Sequence, residues 1–171
     1  MKTMLSIDDA LALIRDCCAP LPIEQVALAE ACGRVLAAPV DAPRNLPPFA
    51  NSAMDGFALR WREGLVEDTM LPVLAEQAAG DGIAGQSEGA CSIMTGARIP
   101  DGLDTVVPVE DCTVLARDGE GRPTSIALSH APQPGQHVRH AGEDVAAGQR
   151  VLDAGARLDE DALLVLRGTG L

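Results

Sequence analysis

The sequence predicts an α+β fold, mainly β, in which a β-rich lobe is inserted between two proline-rich crossings. Three observations lead there. Of 171 residues, 47% are apolar, enough for a real interior in one ordinary domain or two small lobes. Only 2% are aromatic, with no Tyr, so the interior must be built from Val, Leu, Ile and Ala. Heavy punctuation by 17 Gly and 12 Pro favours short strands and turns over a helical bundle.

The elements follow in order. Ser6 to Cys18 reads as a helix: Ser6 can cap it, Asp9 holds the capping-box position, and Asp8 suits the positive helix end. Ile7, Leu11, Ile14 and Cys18 form one apolar stripe, expected to face a core or a surface outside this chain. Pro20 and Pro22 stop the helix. A short helix is predicted over Leu28–Cys32, closed by Gly33. Arg34–Val40 reads as a strand that Pro39 demotes to an edge. Asp41–Pro48, with Pro43, Pro47 and Pro48, reads as a rigid crossing, because proline fixes φ and removes backbone donors.

From Phe57 to Leu128 the pattern is almost wholly β. Strands are predicted at Phe57–Arg60, Leu71–Ala78, Ala90–Met94, Thr105–Glu110, Cys112–Ala116 and Thr124–Leu128. The turn pairs Asp81-Gly82, Glu88-Gly89, Asp101-Gly102 and Asp118-Gly119 stand between them. Such spacing suggests a small barrel or sandwich. His130–Gly135, with Pro132 and Pro134, reads as the return crossing. A strand near Gln149–Leu152 and a last helix from about Asp159 to Arg167, capped by Gly168, complete the prediction. Ending directly after that helix, the chain is expected to be part of a longer protein.

A net charge of −12 argues against nucleic acid or an anionic membrane as partner, since the field repels phosphate. An anionic small ligand would need a bridging cation or local arginines. MKTMLSIDDA carries no signal-peptide pattern, and no apolar run is long enough to span a bilayer. Five Cys with no Cys-x-x-Cys pair fit reduced thiols, so a cytoplasmic setting is expected.

Four turn regions hold more polar residues than a turn requires: Asn51–Gly56 (NSAMDG), Met94–Pro100 (MTGARIP), Val106–Asp111 (VVPVED) and Val138–Asp144 (VRHAGED). Thr95-Gly96 at a strand end offers a hydroxyl and a backbone N–H to an anionic oxygen. Glu143 and Asp144 are hard oxygen ligands of the kind magnesium prefers. Each region alone is also ordinary turn chemistry. His137-x-x-His140 lacks a convincing third ligand for zinc and reads as surface histidines. Nothing resembles a Ser-His-Asp arrangement, a Walker loop or a dinucleotide fingerprint.

Taken in this order, the four regions resemble the MoeA and gephyrin E-domain family, the molybdopterin molybdenumtransferases. The resemblance runs from SIDDALALI through LAEACGRVLAAPV, LPPFANSAMDGFAL, IMTGARIPDGLDTVVPVED and VRHAGEDVAAGQRVL to the last helix. It implies an elongated hinge lobe from residues 1–48 and 136–171, with residues 49–135 as an inserted, small β-barrel-like lobe. A molybdopterin-binding α/β domain and a further β domain, which the family carries next, would be absent. It also implies a reaction: molybdenum passes from molybdate to adenylated molybdopterin, AMP leaves, and Mg2+ assists. The site would lie in a cleft of a homodimer, between this region and the α/β domain of the other subunit.

Carried over by motif, Asp55 would be the catalytic and metal-orienting carboxylate. Asn51, Ser52, Thr95, Gly96 and Arg139 would bind substrate, and Glu110, Glu143 and Asp144 would support the cleft. The chain departs from the family at Ala50, often Asp, at Phe57, often Tyr, and at His140-Ala141, often Arg. The last departure weakens anion binding by that loop. A non-catalytic dimerisation or docking module of the same family is the alternative reading.

Overall fold

The computed structural model describes residues 5–19, 21–80 and 89–171. Pro20, the Asp81-Gly82 turn and Glu88 lie outside the described residues. The architecture is α+β and mainly β, with two α-helices and ten strands among the described residues.

Helix α1 spans Ile7–Cys17. Ser6 caps it: its Oγ accepts from the Asp9 N–H at 3.1 Å and donates to Asp9 Oδ2 at 2.6 Å. The apolar stripe forms, but α1 buries none of its residues. Ile7 is 80% exposed and Ile14 59%, so no core within the described residues covers that face.

Leu28–Glu30 forms one 3-10 turn, with Gly33 beyond it at φ +82°. The strand expected at Arg34–Val40 is not continuous. Val35 makes an isolated bridge with Arg157, and regular pairing starts only at β1 (Val40–Asp41), after Pro39. Proline has no N–H to donate, which accounts for the late start. β1 pairs antiparallel with β10 (Arg150–Leu152). Helix α2 (Glu160–Thr169) is capped by Asp159, whose carboxylate accepts from the Ala162 N–H at 2.9 Å. Its stop is Gly170 at φ +97°, not Gly168, which lies inside the helix. The Gly170 and Leu171 N–H groups donate back to the Arg167 and Leu166 carbonyls, closing the last turn. Ala31, Leu158 and Leu166 form a small core here with Leu36, Val40, Val151 and Leu163, drawn from both ends of the chain.

The larger sheet holds β3 (Gly56–Leu59), β4 (Met70–Gln77), β5 (Ala90–Ile93), β6 (Thr105–Pro108), β7 (Cys112–Arg117) and β8 (Pro123–Leu128). Their spatial order is β6-β3-β5-β4-β8-β7. The two outermost strands, β6 and β7, are joined only by the 3-10 turn Val109–Asp111. Six strands laid flat would separate those edges by about 24 Å. So short a link reaches at most about 14 Å. The sheet therefore curls.

Alternation along the strands explains its packing. Phe57 and Leu59 point into one cluster with Leu71, Ala90, Val107, Ile126 and Leu128. Ala58, Cys91, Ile93 and Val106 point the other way and meet Ala97, Ile99 and Leu103. Both faces of β3 are thus buried. Each large side chain so buried contributes about 1.5–3 kcal/mol. Leu71 and Val73 of β4 face the first cluster, whereas Ala75, beyond a register shift, packs on the second.

The return segment does more than cross. Gly135 N–H donates to Thr105 Oγ1 at 3.1 Å, Val106 N–H to the Gln136 carbonyl, and Trp61 Nε1–H to the Pro132 carbonyl. It thereby covers the outer edge of β6. Beyond it, β9 (Val138–Arg139) pairs antiparallel with β2 (Asn51–Ser52), setting Asn51 opposite Arg139 and Ser52 opposite Val138.

Candidate functional site

The Asn51–Gly56 stretch is a short strand, a bend, and the start of β3. Ser52 is 1% exposed, and its hydroxyl is spent locally. It donates to the Met54 carbonyl at 2.6 Å and accepts from the Met54 N–H at 3.3 Å. The Ala53 N–H donates to the His137 carbonyl, so the bend is anchored to the return segment. Gly56 serves close approach rather than a left-handed turn. A Cβ there would overlap the Val107 carbonyl oxygen across the β3–β6 ladder.

Those constraints leave Asp55 exposed at the apex. Its Oδ1 accepts from the Thr95 N–H at 2.6 Å and from Thr95 Oγ1–H at 2.8 Å. Among the described residues no donor is placed on Oδ2. First the Thr95 N–H and then the Thr95 hydroxyl hold the carboxyl below the usual carboxylate range, because both bonds favour the charged form. Asp55 is thus an oriented anion at neutral pH, with one oxygen held and the other turned outward. Thr95 occupies a tight turn closed by the Ala97 N–H on the Met94 carbonyl, with Gly96 at φ +79°. The Gly96 N–H donates to the Ser52 carbonyl at 2.8 Å. Neither N–H of Thr95-Gly96 lies open to a ligand, and Thr95 serves Asp55.

The other candidates cluster nearby in a different manner. Asn51 is buried, with its side-chain amide donating to the Phe49 carbonyl at 3.3 Å. Arg139 donates to both oxygens of Asp144 at 2.7 Å. Glu143 Oε2 accepts from the His140 N–H within the loop, and the Asp144 N–H donates to the Leu46 carbonyl, so the loop is fastened to the first crossing. Glu110 is exposed on the turn after β6; its neighbour Val109 donates its N–H to the Asp55 carbonyl. Sequence reasoning passed over Arg98 and Phe49. Arg98 bridges to Asn51, and its guanidinium lies 5.8 Å from the centre of the Phe49 ring. The period-2 spacing of Phe49 and Asn51 was the available sign.

No group of three or more His, Cys, Asp or Glu side chains able to hold a metal occurs among the described residues. Magnesium, however, commonly takes one or two carboxylates and completes its shell with water and substrate phosphate. The outward oxygen of Asp55 fits that usage, and a dedicated protein cage is not what these residues build. No helix among the described residues is long and apolar enough to cross a membrane.

Residues 5–170 match the family model described as the MoeA N-terminal region (domain I and II), and the chain belongs to this family. A molybdopterin molybdenumtransferase of Haemophilus influenzae is 37% identical over 171 residues, covering 98% of this chain and 41% of that protein. Another, from Synechococcus elongatus, is 39% identical over 159 residues, covering 89% and 38%. The crystal structure of a molybdopterin biosynthesis MoeA protein from Pyrococcus horikoshii superposes with a TM-score of 0.84 at 25% identity, covering 99% of this chain and 43% of that one. The chain thus spans about two fifths of the length of the relatives it matches.

Proposed function

We propose that this chain is the amino-terminal region of a molybdopterin molybdenumtransferase and supplies one wall of its active site. The reaction is transfer of molybdenum from molybdate to adenylated molybdopterin with release of AMP, a step in molybdenum cofactor biosynthesis. The observation that carries the reading is the Asp55–Thr95 pair: an exposed carboxylate, charged and oriented, that no cation among the described residues pairs with.

In this reading Asp55 orients a cation or a water against the phosphate linkage that breaks. Mg2+, held by Asp55 together with substrate phosphate, would offset the charge building on the departing AMP. Thr95 fixes the carboxylate, while Asn51 and Ser52 shape the loop that carries it. Arg139, Asp144 and Glu143 brace the loop that is fastened to the first crossing, and Glu110 borders the cleft. Molybdopterin itself would be bound by the part of the longer protein that this chain does not include. A homodimer completes the site, in the cytoplasm, where the five unpaired thiols stay reduced. The lobe division belongs to the same proposal. It is supported by the third core, which draws only on residues of the two chain ends. Val138 packs on the second cluster, so the boundary runs through the β2–β9 pair.

A second reading, a non-catalytic docking module, is favoured by the exposed face of α1, where Ile7, Leu11, Leu13 and Ile14 remain uncovered. The two separate on one assay: AMP release by the longer protein from adenylated molybdopterin and molybdate, with and without Asp55→Asn. Loss of release in a normally folded variant supports the enzyme. Equal release from both proteins refutes the role of Asp55.

A further inference from the structure

Residues paired in register across an antiparallel ladder project to the same face, about 4.5–5.5 Å apart at Cβ. Asn51 is paired on one side with Arg139 and on the other, by an isolated antiparallel bridge, with Arg98. The flanking bonds, Ser52 N–H to the Ala97 carbonyl and Ile99 N–H to the Ala50 carbonyl, are those of a close, non-hydrogen-bonded pair. Arg98, Asn51 and Arg139 therefore form a row across one face. Phe49, two residues before Asn51, lies on that face too, which is why Arg98 rests over its ring.

The two arginines differ in what they have left to offer. Arg139 is paired with Asp144, both of whose oxygens accept from its Nη2, so its charge is already opposed by a carboxylate. Arg98 is exposed, and among the described residues no carboxylate pairs with it. A cation–π contact with the Phe49 ring, 5.8 Å from its centre, consumes none of the guanidinium's N–H donors. In a chain of net charge −12, an arginine placed so beside the Asp55–Thr95 turn is an unusual local source of positive potential.

We propose that Arg98 is the oxyanion-binding residue of this site, taking a tetrahedral oxyanion, phosphate or molybdate, in place of the role expected for Arg139. This rests on the functional reading above for the identity of the substrate, but not for the existence of the subsite. Asp55 and Arg98 then divide the work. The carboxylate faces the cationic partner of the reaction, and the guanidinium faces an oxyanion through two parallel N–H···O bonds.

The test has two arms. In the first, arginine Nε–Hε signals of this chain are followed by NMR while sodium phosphate, or separately sodium molybdate, replaces sodium chloride at constant ionic strength. A saturable shift at Arg98 with either anion, absent in Arg98→Gln and retained in Arg139→Gln, is expected. A response to molybdate alone identifies the metal oxyanion as occupant, and a response to phosphate alone identifies the substrate's phosphate. No saturable response at Arg98, or one confined to Arg139, overturns the proposal. In the second arm, Arg98→Gln in the longer protein is expected to raise KM for the substrate that carries the responding oxyanion by about tenfold, with kcat nearly unchanged and partial recovery in Arg98→Lys. An unchanged KM overturns the substrate role. If the first arm succeeds while the wild-type longer protein releases no AMP, the transferase reading falls and the oxyanion subsite stands.

Discussion

The Asp55 turn and the Arg139 loop lie beside the same short strand, yet they handle charge in opposite ways. Asp55 is held by two neutral donors of Thr95, which fix its direction and leave its charge uncancelled. Arg139 is held by a carboxylate, so the pair contributes little net field. Neutral donors make a carboxylate available for chemistry, whereas an ion pair makes a crossing firm. The sequence shows equally polar residues in both regions. Only the partners separate a site from a strut.

The most drastic way to break this contrast is to move the turn. Gly56→Ala places a methyl against the Val107 carbonyl, a backbone atom that cannot swing aside. Destabilisation of about 3 kcal/mol is expected, read as a lower midpoint in chemical denaturation. Asp55→Asn removes charge while keeping shape, since Asn supports the same backbone angles. In the longer protein it is expected to fold normally and lose at least about tenfold in AMP release, about 1.4 kcal/mol of transition-state stabilisation. Affinity for adenylated molybdopterin should change far less. Near-normal release at unchanged thermal stability would leave Asp55 as a bend residue.

Thr95→Val sharpens the comparison, because it deletes the hydroxyl bond and keeps the N–H bond. Release is expected to fall about fivefold, the worth of one hydrogen bond of about 1 kcal/mol. The Asp55 carboxyl, followed by NMR, should titrate nearer its ordinary value of 3.8 without reaching it, since the larger cause of its lowering remains. Because the folded-state value is depressed, the stabilisation is present above the unfolded value and disappears as pH falls through the folded one. The wild-type protein should therefore be more stable than Thr95→Val by a constant margin from neutrality down to the ordinary carboxylate range, and that margin should shrink as pH falls further through the folded value. A titration unchanged by the substitution would remove Thr95 from its positioning role.

How legible this was depends on the range of the signal. The strands of the curled sheet were readable because alternation and turn residues are local: Gly56–Leu59, Ala90–Ile93 and Pro123–Leu128 fall close to expectation. The α1 pattern was equally clear, but periodicity says that a face is apolar and nothing of what covers it. The β2–β9 ladder was not visible, because strands of two residues have no period and their pairing joins distant parts of the chain. That ladder decides most of the site. It buries Ser52 and lines up Arg98, Asn51 and Arg139, an arrangement that the motifs alone do not disclose. The role of Gly56 was not visible either, since its close approach to the Val107 carbonyl is a fact of packing and leaves no mark in the Asp-Gly dipeptide.

The smallest expected effect tests the strut. Arg139 and Asp144 are each about half exposed, with side-chain exposures of 42% and 48%. Pairs in such surroundings gain little, because water screens the attraction and two long side chains must be held still. Arg139→Ala, Asp144→Ala and the double variant should therefore close a cycle with a coupling of about 0.5 kcal/mol, within the surface range, since one guanidinium nitrogen serves both carboxylate oxygens. High salt should erase much of it. The informative quantity is the comparison with Asp55: these variants should shift stability slightly and leave the pH profile of AMP release unchanged, since the carboxylate they disturb is already neutralised. Consider instead a variant lacking Asp144, in which Arg139 is set free. If that protein binds the oxyanion substrate more tightly than wild type, Arg139 is a latent ligand held in reserve, and the division drawn here between site and strut gives way. If affinity is unchanged while the coupling is measurable, the loop is a brace fastened to the first crossing, and the charge that acts on substrate is confined to Asp55 and Arg98.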